Sequence, residues 1–427
     1  MKSFERSEAL LARELKVSPL AAQTYSKSYR YFSRGMAPSY MDRGDGCYIF
    51  DVDGNRFIDF MCALGPVTIG YNEPAVNEAV IRQVNKFASG SLQSTLEVEL
   101  AEKICDIIPC AEMVRFVKNG GDATTAAVRL ARAYTGRDII LKSGYHGMHD
   151  WTIGASVNYK GVPEAVRALT LNFVYNDLDD LEHKLKSHEV AAVILEPIQG
   201  NGPKDGYLQS VLDLTHKYGA ILIFDEVVSG FHYALGGAQE LFGVTPDLVA
   251  FGKGMANGYP ISAVAGKREL LAQIEQGVFI STTFGGDSIA MAAALATIKI
   301  LEQPGFYEHI ISLGSILRSG IQERIDKYDL NDVLAVSGMP QHCGVSFDGH
   351  GSLSYLDIQS VYSQTILQNG ILQFAIYFLN AHHTEKEAKV YLDATDQAFA
   401  LIRKAVDQDS LDGILVGGKV DPVFKRN

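Results

Sequence analysis

The chain has 427 residues, of which 47% are hydrophobic and 21% charged, with a formal net charge of −12. This is globular composition with length for roughly two or three domains, which excludes a wholly disordered, collagenous or coiled-coil protein. An acidic chain without a long basic run argues against nucleic acid or an anionic membrane as partner, and no charge-free apolar stretch of about 20 residues marks a membrane span.

The opening, MKSFERSEALLARELK, scatters charges among its apolar residues and lacks the apolar core of a signal peptide. Cysteines 47, 62, 105, 110 and 343 show no zinc-ligand spacing, so reduced thiols and a cytoplasmic location are expected. Residues 1–30 predict a helix followed by a polar stretch. Residues 47–60 read as a hairpin, with apolar runs flanking the turn signal Asp53-Gly54. Ser94 and Glu97 fit a capping box, ahead of a helix with Leu96, Leu100, Ile104 and Ile107 on one face.

From about residue 114 to 265 the pattern changes. Apolar runs without alternation recur at 114–117, 139–141, 191–195, 220–224 and 248–251, and suit strands buried on both faces. Amphipathic stretches such as Leu208–Tyr218 separate several of them, which predicts an α/β fold, a mainly parallel sheet covered by helices. Beyond about 300 a smaller α+β unit follows, with long helices expected at 306–327 and 385–407. The expected organisation is an N-terminal segment 1–70 packing with the small domain, a large α/β domain 71–300 and a small C-terminal domain 301–427.

Ligands of open α/β sheets sit at the carboxyl ends of the strands, so polar residues just after apolar runs are the candidates. Ala220-Ile221-Leu222-Ile223-Phe224 ends in Asp225-Glu226, and a carboxylate near a buried strand end needs a cation or strong donors. A structural ion pair or a helix cap would serve as well as a functional site. Leu248–Phe251 runs into Gly252-Lys253-Gly254. A lysine in a desolvated site can act as an amine nucleophile, whereas most lysines are simply solvated. Lysine plus strand-end aspartate is what a pyridinium aldehyde needs, one for the aldehyde carbon and one for the ring nitrogen.

Such a cofactor carries a phosphate. Val114–Lys118 leads through Asn119, Gly120 and Gly121 into an alanine-rich helix, whose free N–H groups favour an anion. Asp122 is expected to cap that helix. Neither this stretch nor Gly252–Gly258 has the G-x-G-x-x-G spacing of a dinucleotide site. Tyr145, just past another strand, can stack on a planar ring or be plain core. His146, His149 and Asp150 lack a third ligand cluster, so no metal is expected.

With these residues the chain resembles the class III pyridoxal-phosphate (PLP) aminotransferases of the aspartate-aminotransferase fold, fold type I, and within them the glutamate-1-semialdehyde aminomutase branch. The resemblance runs from Asp51-Val52-Asp53-Gly54 to Ala381-His382-His383-Thr384-Glu385. Its most specific parts are Asp225-Glu226-Val227-Val228-Ser229-Gly230-Phe231 and Pro246-Asp247-Leu248-Val249-Ala250-Phe251-Gly252-Lys253-Gly254. It implies pyridoxal 5'-phosphate as cofactor, Lys253 as Schiff-base lysine and proton shuttle, and Asp225 as partner of the pyridine nitrogen. It also implies Val227 and Tyr145 on the two ring faces, with His146 beside them in the Tyr-His-Gly match. Gly120 and Gly121, with Asn119, would take the phosphate. Thr283, in Thr282-Thr283-Phe284-Gly285-Gly286-Asp287-Ser288, matches the threonine that reaches a neighbouring subunit's phosphate, which implies a homodimer with shared sites.

Departures from the family are informative. The usual Ser-Gly-Thr/Ser-Glu-Ala cradle is Asn119-Gly120-Gly121-Asp122-Ala123 here. Met148 stands where the acetylornithine branch places a substrate-binding arginine. The aminomutase's Ser-Trp before Gly-Pro is Ala63-Leu64, and the segment 370–383 is shorter and more apolar. Arg30 and Arg34 lie near where the aminomutase holds a carboxylate. The expected function is a ping-pong transaminase, moving an amino group from an amino-acid donor to a small carbonyl acceptor such as a keto sugar or biosynthetic aldehyde. The alternatives are an aminomutase and, more remotely, a non-catalytic cofactor-binding protein, for which retention of Lys253 has no reason.

Overall fold

The computed structural model describes residues 2–33 and 35–421. These fall into two compact units. The smaller takes the residues up to Leu64, Ile69–Glu73 and the chain from Glu308 on, and the larger takes Gly65–Thr68 and Pro74–Tyr307.

In the smaller unit, β1 (Met41–Asp45) and β2 (Tyr48–Asp51) pair antiparallel, and β2 pairs in turn with β3 (Arg56–Asp59). The hairpin closes where the sequence puts Asp53-Gly54, because Asp51 Oδ1 accepts the N–H groups of Asp53 (3.0 Å) and Asn55 (2.7 Å). Asp53 in turn accepts the N–H groups of Arg6 (2.7 Å) and Ser7 (2.9 Å), orphan donors at the start of the first helix, Glu5–Glu14.

The larger unit holds a seven-stranded sheet: β4 (Met113–Val117), β5 (Ile139–Ser143), β6 (Thr170–Asn172), β7 (Val190–Leu195), β8 (Ile221–Glu226), β9 (Leu248–Phe251) and β10 (Ser262–Gly266), ordered β4-β10-β9-β8-β7-β5-β6. Pairs from β9 to β6 are parallel, whereas β10 runs antiparallel to both β9 and β4. Every residue of β7, β8 and β9 is buried, as unalternating apolar runs require. The helix Gly120–Thr135 lays Ala126, Ala127, Leu130 and Ala131 on this sheet and ends at Gly136 (φ 67°), a left-handed cap that glycine adopts without strain. The capping box at Ser94 and Glu97 is present, and Leu100 and Ile104 are buried beneath it, while Leu96 and Ile107 stay half-buried. The helix Tyr207–Lys217 occupies the amphipathic stretch.

The chain returns to the smaller unit with the long helix Phe306–Lys327, the hairpin β11 (Leu334–Met339) and β12 (His342–Phe347), and the short β13 (Ile371–Leu372), which joins β3 in parallel. The last helix, Glu385–Gln408, starts from a capping box of Thr384 and Glu387. Ala63 and Leu64 stand in a left-handed turn of this unit (φ 56° and 77°), just after Asp59 Oδ1, which accepts the Met61 N–H at 2.8 Å. All five cysteines are unpaired. Among the described residues, no helix is long and apolar enough to cross a membrane.

Candidate active site

The site is built at the carboxyl ends of β5, β7, β8 and β9. Successive side chains of a strand point to opposite faces, and β8 uses this to separate its two carboxylates. Glu226 accepts Ser229 Oγ (2.8 Å), Gln239 N–H (3.2 Å), Gln239 Nε2 (3.1 Å) and the Ala238 N–H, so its role is to pin the chain after β8. Asp225, 4% exposed, is turned the other way. Its Oδ2 takes a hydrogen bond from His146 Nδ1 (2.8 Å), and its Oδ1 accepts the Val227 N–H (3.1 Å). His146 is itself buried, lies parallel to the Trp151 ring at 6.2 Å, and leaves Nε2 without a partner among the described residues.

Lys253 follows β9 by two residues. Gly252 precedes it because a Cβ there would lie 2.3 Å from Ser262 Oγ on β10. The lysine backbone is left-handed (φ 34°), an uncommon state for a side-chain-bearing residue and one often found at functional sites. Withdrawal from water pushes the half-buried ammonium below the usual lysine range, and the charges of Glu196 and Asp225 oppose that shift. Glu196, just past β7, has its carboxyl raised by burial and by Asp225. Two carboxylates and one lysine thus share a single desolvated corner.

Three backbone segments meet beside it. A Cβ on Gly120 would come within 2.8 Å of Val227 Cγ1, and one on Gly147 (φ 100°) within 2.8 Å of Gly121 Cα. Glycine at these positions lets Val227 and the Tyr145–Gly147 loop close on the start of the helix Gly120–Thr135. Asp122 caps that helix, its Oδ2 accepting Asn119 N–H (2.8 Å) and Asn119 Nδ2 (3.1 Å). His149 Nε2 stands 3.5 Å from Asp122 Oδ1. Its Nδ1 meets Thr125 Oγ1 at 2.9 Å, and Trp151 Nε1 donates to the same oxygen at 2.8 Å. Among the described residues no group of three or more His, Cys, Asp and Glu could hold a metal ion.

Tyr145 is 62% exposed and Met148 77%, in the loop over the helix start. Thr283 is exposed on the turn before the helix Ser288–Leu301, which is tied back by an ion pair between Lys118 and Asp287. Arg30 is paired with Asp421 within the smaller unit, and Arg34 lies outside the described residues. Two groups at the site were missed by sequence reasoning, Glu196 and Lys142. Glu196 carries the same signal as Asp225, a carboxylate directly after the apolar run 191–195.

PLP fits these residues on their own terms. A lysine of lowered basicity stands by a buried aspartate, and a glycine-lined helix start lies alongside to take a phosphate.

Comparison with known proteins gives the same direction. The family described as "Aminotransferase class-III" matches residues 31–392. A 3-aminobutyryl-CoA aminotransferase of Cloacimonas acidaminovorans is 36% identical over 93% of this chain and 98% of its own length. A glutamate-1-semialdehyde 2,1-aminomutase of Methanothrix thermoacetophila is also 36% identical, over 94% and 97%. Among solved structures, the FumI protein of Sphingopyxis sp. MTA144 with PLP superimposes with a TM-score of 0.87 at 29% identity, covering 94% of this chain and 98% of that one.

Proposed function

The chain belongs to the class III aminotransferases, which makes it a PLP-dependent enzyme of fold type I, and on that premise we propose that it is a two-substrate transaminase. It would move an amino group from an amino-acid donor to a small carbonyl acceptor. The observation that carries this chemistry is Lys253, a lysine of lowered basicity facing Asp225.

When bound, PLP supplies an electron-withdrawing ring that spreads the negative charge left on a substrate carbon. The rest falls to the chain. Asp225 keeps a negative charge where a ring proton must be held, and His146 Nδ1 fixes its orientation. Val227 and Tyr145 would bracket the ring, while Gly120 and Gly121, with Asn119, would offer donors to the phosphate. Lys253 Nζ, once unprotonated, takes the proton from the donor's α-carbon and later delivers one to the acceptor's carbon. Thr283 would serve the site of a second copy, in a homodimer acting on small molecules in the cytoplasm.

A transaminase is favoured over an aminomutase by the departures from the aminomutase pattern at 63–64 and 370–383. The turn at Ala63 and Leu64 is apolar. In the stretch 371–379 the polar side chains turn inward, Gln373 Nε2 to Tyr391 Oη (3.0 Å) and Tyr377 Oη to Gly314 O (3.2 Å). An aminomutase must retain a small diamino intermediate, for which polar groups would be wanted. Relatives of both kinds are 36% identical, so the choice rests on these residues alone. The holoenzyme mixed with single amino acids such as glutamate is expected to lose its aldehyde absorbance and release the matching keto acid. Isomerisation of glutamate-1-semialdehyde with no external donor accepted would establish the aminomutase instead.

A further inference from the structure

Lys142 is the last but one residue of β5 and is 6% exposed. Its Nζ donates to Gly144 O at 2.9 Å. One bond to a carbonyl does not compensate a desolvated ammonium, so an anion should face it. Burial lowers its pKa, and the charge that opposes this is Glu196.

The geometry around Gly144 links this lysine to the reaction site. Gly144 is left-handed (φ 104°), and a Cβ there would lie 2.4 Å from Glu196 Oε1. The next residue, Tyr145, gives its N–H to that same oxygen at 2.7 Å. Gln199 Nε2 holds Ser143 O (3.0 Å), and Thr124 Oγ1 holds His146 O (2.8 Å). The loop carrying Tyr145 and His146 is thus pinned from four sides, and Lys142 is the only cation among the pins.

We propose that Lys142 is a positioning residue: it fixes the Gly144 turn that aims Tyr145 and His146, and it balances Glu196 so that Lys253 is not the sole cation for two carboxylates. The charged and titratable groups around Glu196 are Asp225, His146, Lys253, Lys142, Tyr175 and the Tyr145 side of the loop, and those acting on Lys253 are Glu196 and Asp225. Without Lys142, the full field of both carboxylates falls on Lys253 and favours the protonated form of the nitrogen it carries. This inference rests on the reading of Lys253 as the residue that links the cofactor.

The test is a pH titration of the visible absorbance of the PLP-loaded holoenzyme, for the wild type and for Lys142→Gln and Lys142→Arg. Glutamine can still donate to Gly144 O but has lost the charge, whereas arginine keeps the charge. Loss of a positive charge from this corner favours the protonated form of the Lys253 nitrogen, so the midpoint should rise by about one pH unit in Lys142→Gln. Lys142→Arg should stay near the wild type. An unmoved midpoint in Lys142→Gln, with only a lower melting temperature, would reduce Lys142 to a structural staple and overturn the proposal. A wild type with no lysine-linked absorbance would overturn the Lys253 reading, and this inference with it.

Discussion

Asp225→Asn is expected to bind PLP and fold normally, yet to slow the donor half-reaction by about a hundred- to a thousandfold, the range typical for loss of a preorganised electrostatic group. Asparagine offers one acceptor oxygen where Asp225 offers two: if that oxygen keeps the Val227 N–H, the amide Nδ2 donates to Nδ1 of His146 in its other neutral tautomer, so both contacts can be kept with the second reversed in direction. What disappears is the negative charge that holds a ring proton, and with it the sink for the carbanion. Stopped-flow measurement of the half-reaction reads this directly. A near-normal rate would place Asp225 among the structural carboxylates, alongside Glu226.

Lys253→Ala should have the larger effect. It removes the amine that takes up and returns the proton, so turnover should fall by about ten-thousandfold or more, at the upper end for loss of a general acid–base group. Binding should suffer less, because Asp225, Val227 and the helix start at Gly120 remain in place. Equilibrium dialysis of PLP against the variant, together with single-turnover kinetics, separates the two effects. Tight non-covalent binding with turnover lost is the expected pair of results, and a variant still turning over within tenfold of the wild type would remove Lys253 from the chemistry.

Much of this site could be read from strand-end grammar. The runs at 139–141, 191–195, 220–224 and 248–251 are uninterrupted apolar stretches, and Asp225 and Lys253 follow two of them, whereas the strand 113–117 is broken by the exposed Arg115 and is not buried on both faces. The helix Gly120–Thr135 was signalled by its glycine pair and alanines. Two strands of the seven-stranded sheet escaped. β6 is only three residues long, and β10 (Ser-Ala-Val-Ala-Gly) has small side chains that give little strand signal. β10 runs antiparallel to β9 and β4, which an expectation of strand–helix alternation could not supply.

The site's electrostatics were less legible, because they depend on pairs distant in sequence. His146 and Asp225 are separated by 79 positions, so nothing local says that one orients the other. Two adjacent carboxylates at 225 and 226 look alike in sequence. Only the loop at Ala238 and Gln239, returning to saturate Glu226, divides their roles. Lys142 reads as one more lysine near a strand end until the Gly144 carbonyl and Glu196 are placed around it. Tyr145 and Thr283 are exposed, so burial in a core does not account for the family signature that they carry.

The central claim is that Lys253 is the residue through which this chain holds and works its cofactor. Borohydride reduction of the purified holoenzyme, followed by peptide mapping, tests it most directly. The account predicts one modified lysine, Lys253, in the peptide containing Phe251-Gly252-Lys253-Gly254, with the yellow colour lost on reduction. An adduct on Lys142 or any other lysine, or none at all from a PLP-loaded protein, would contradict it.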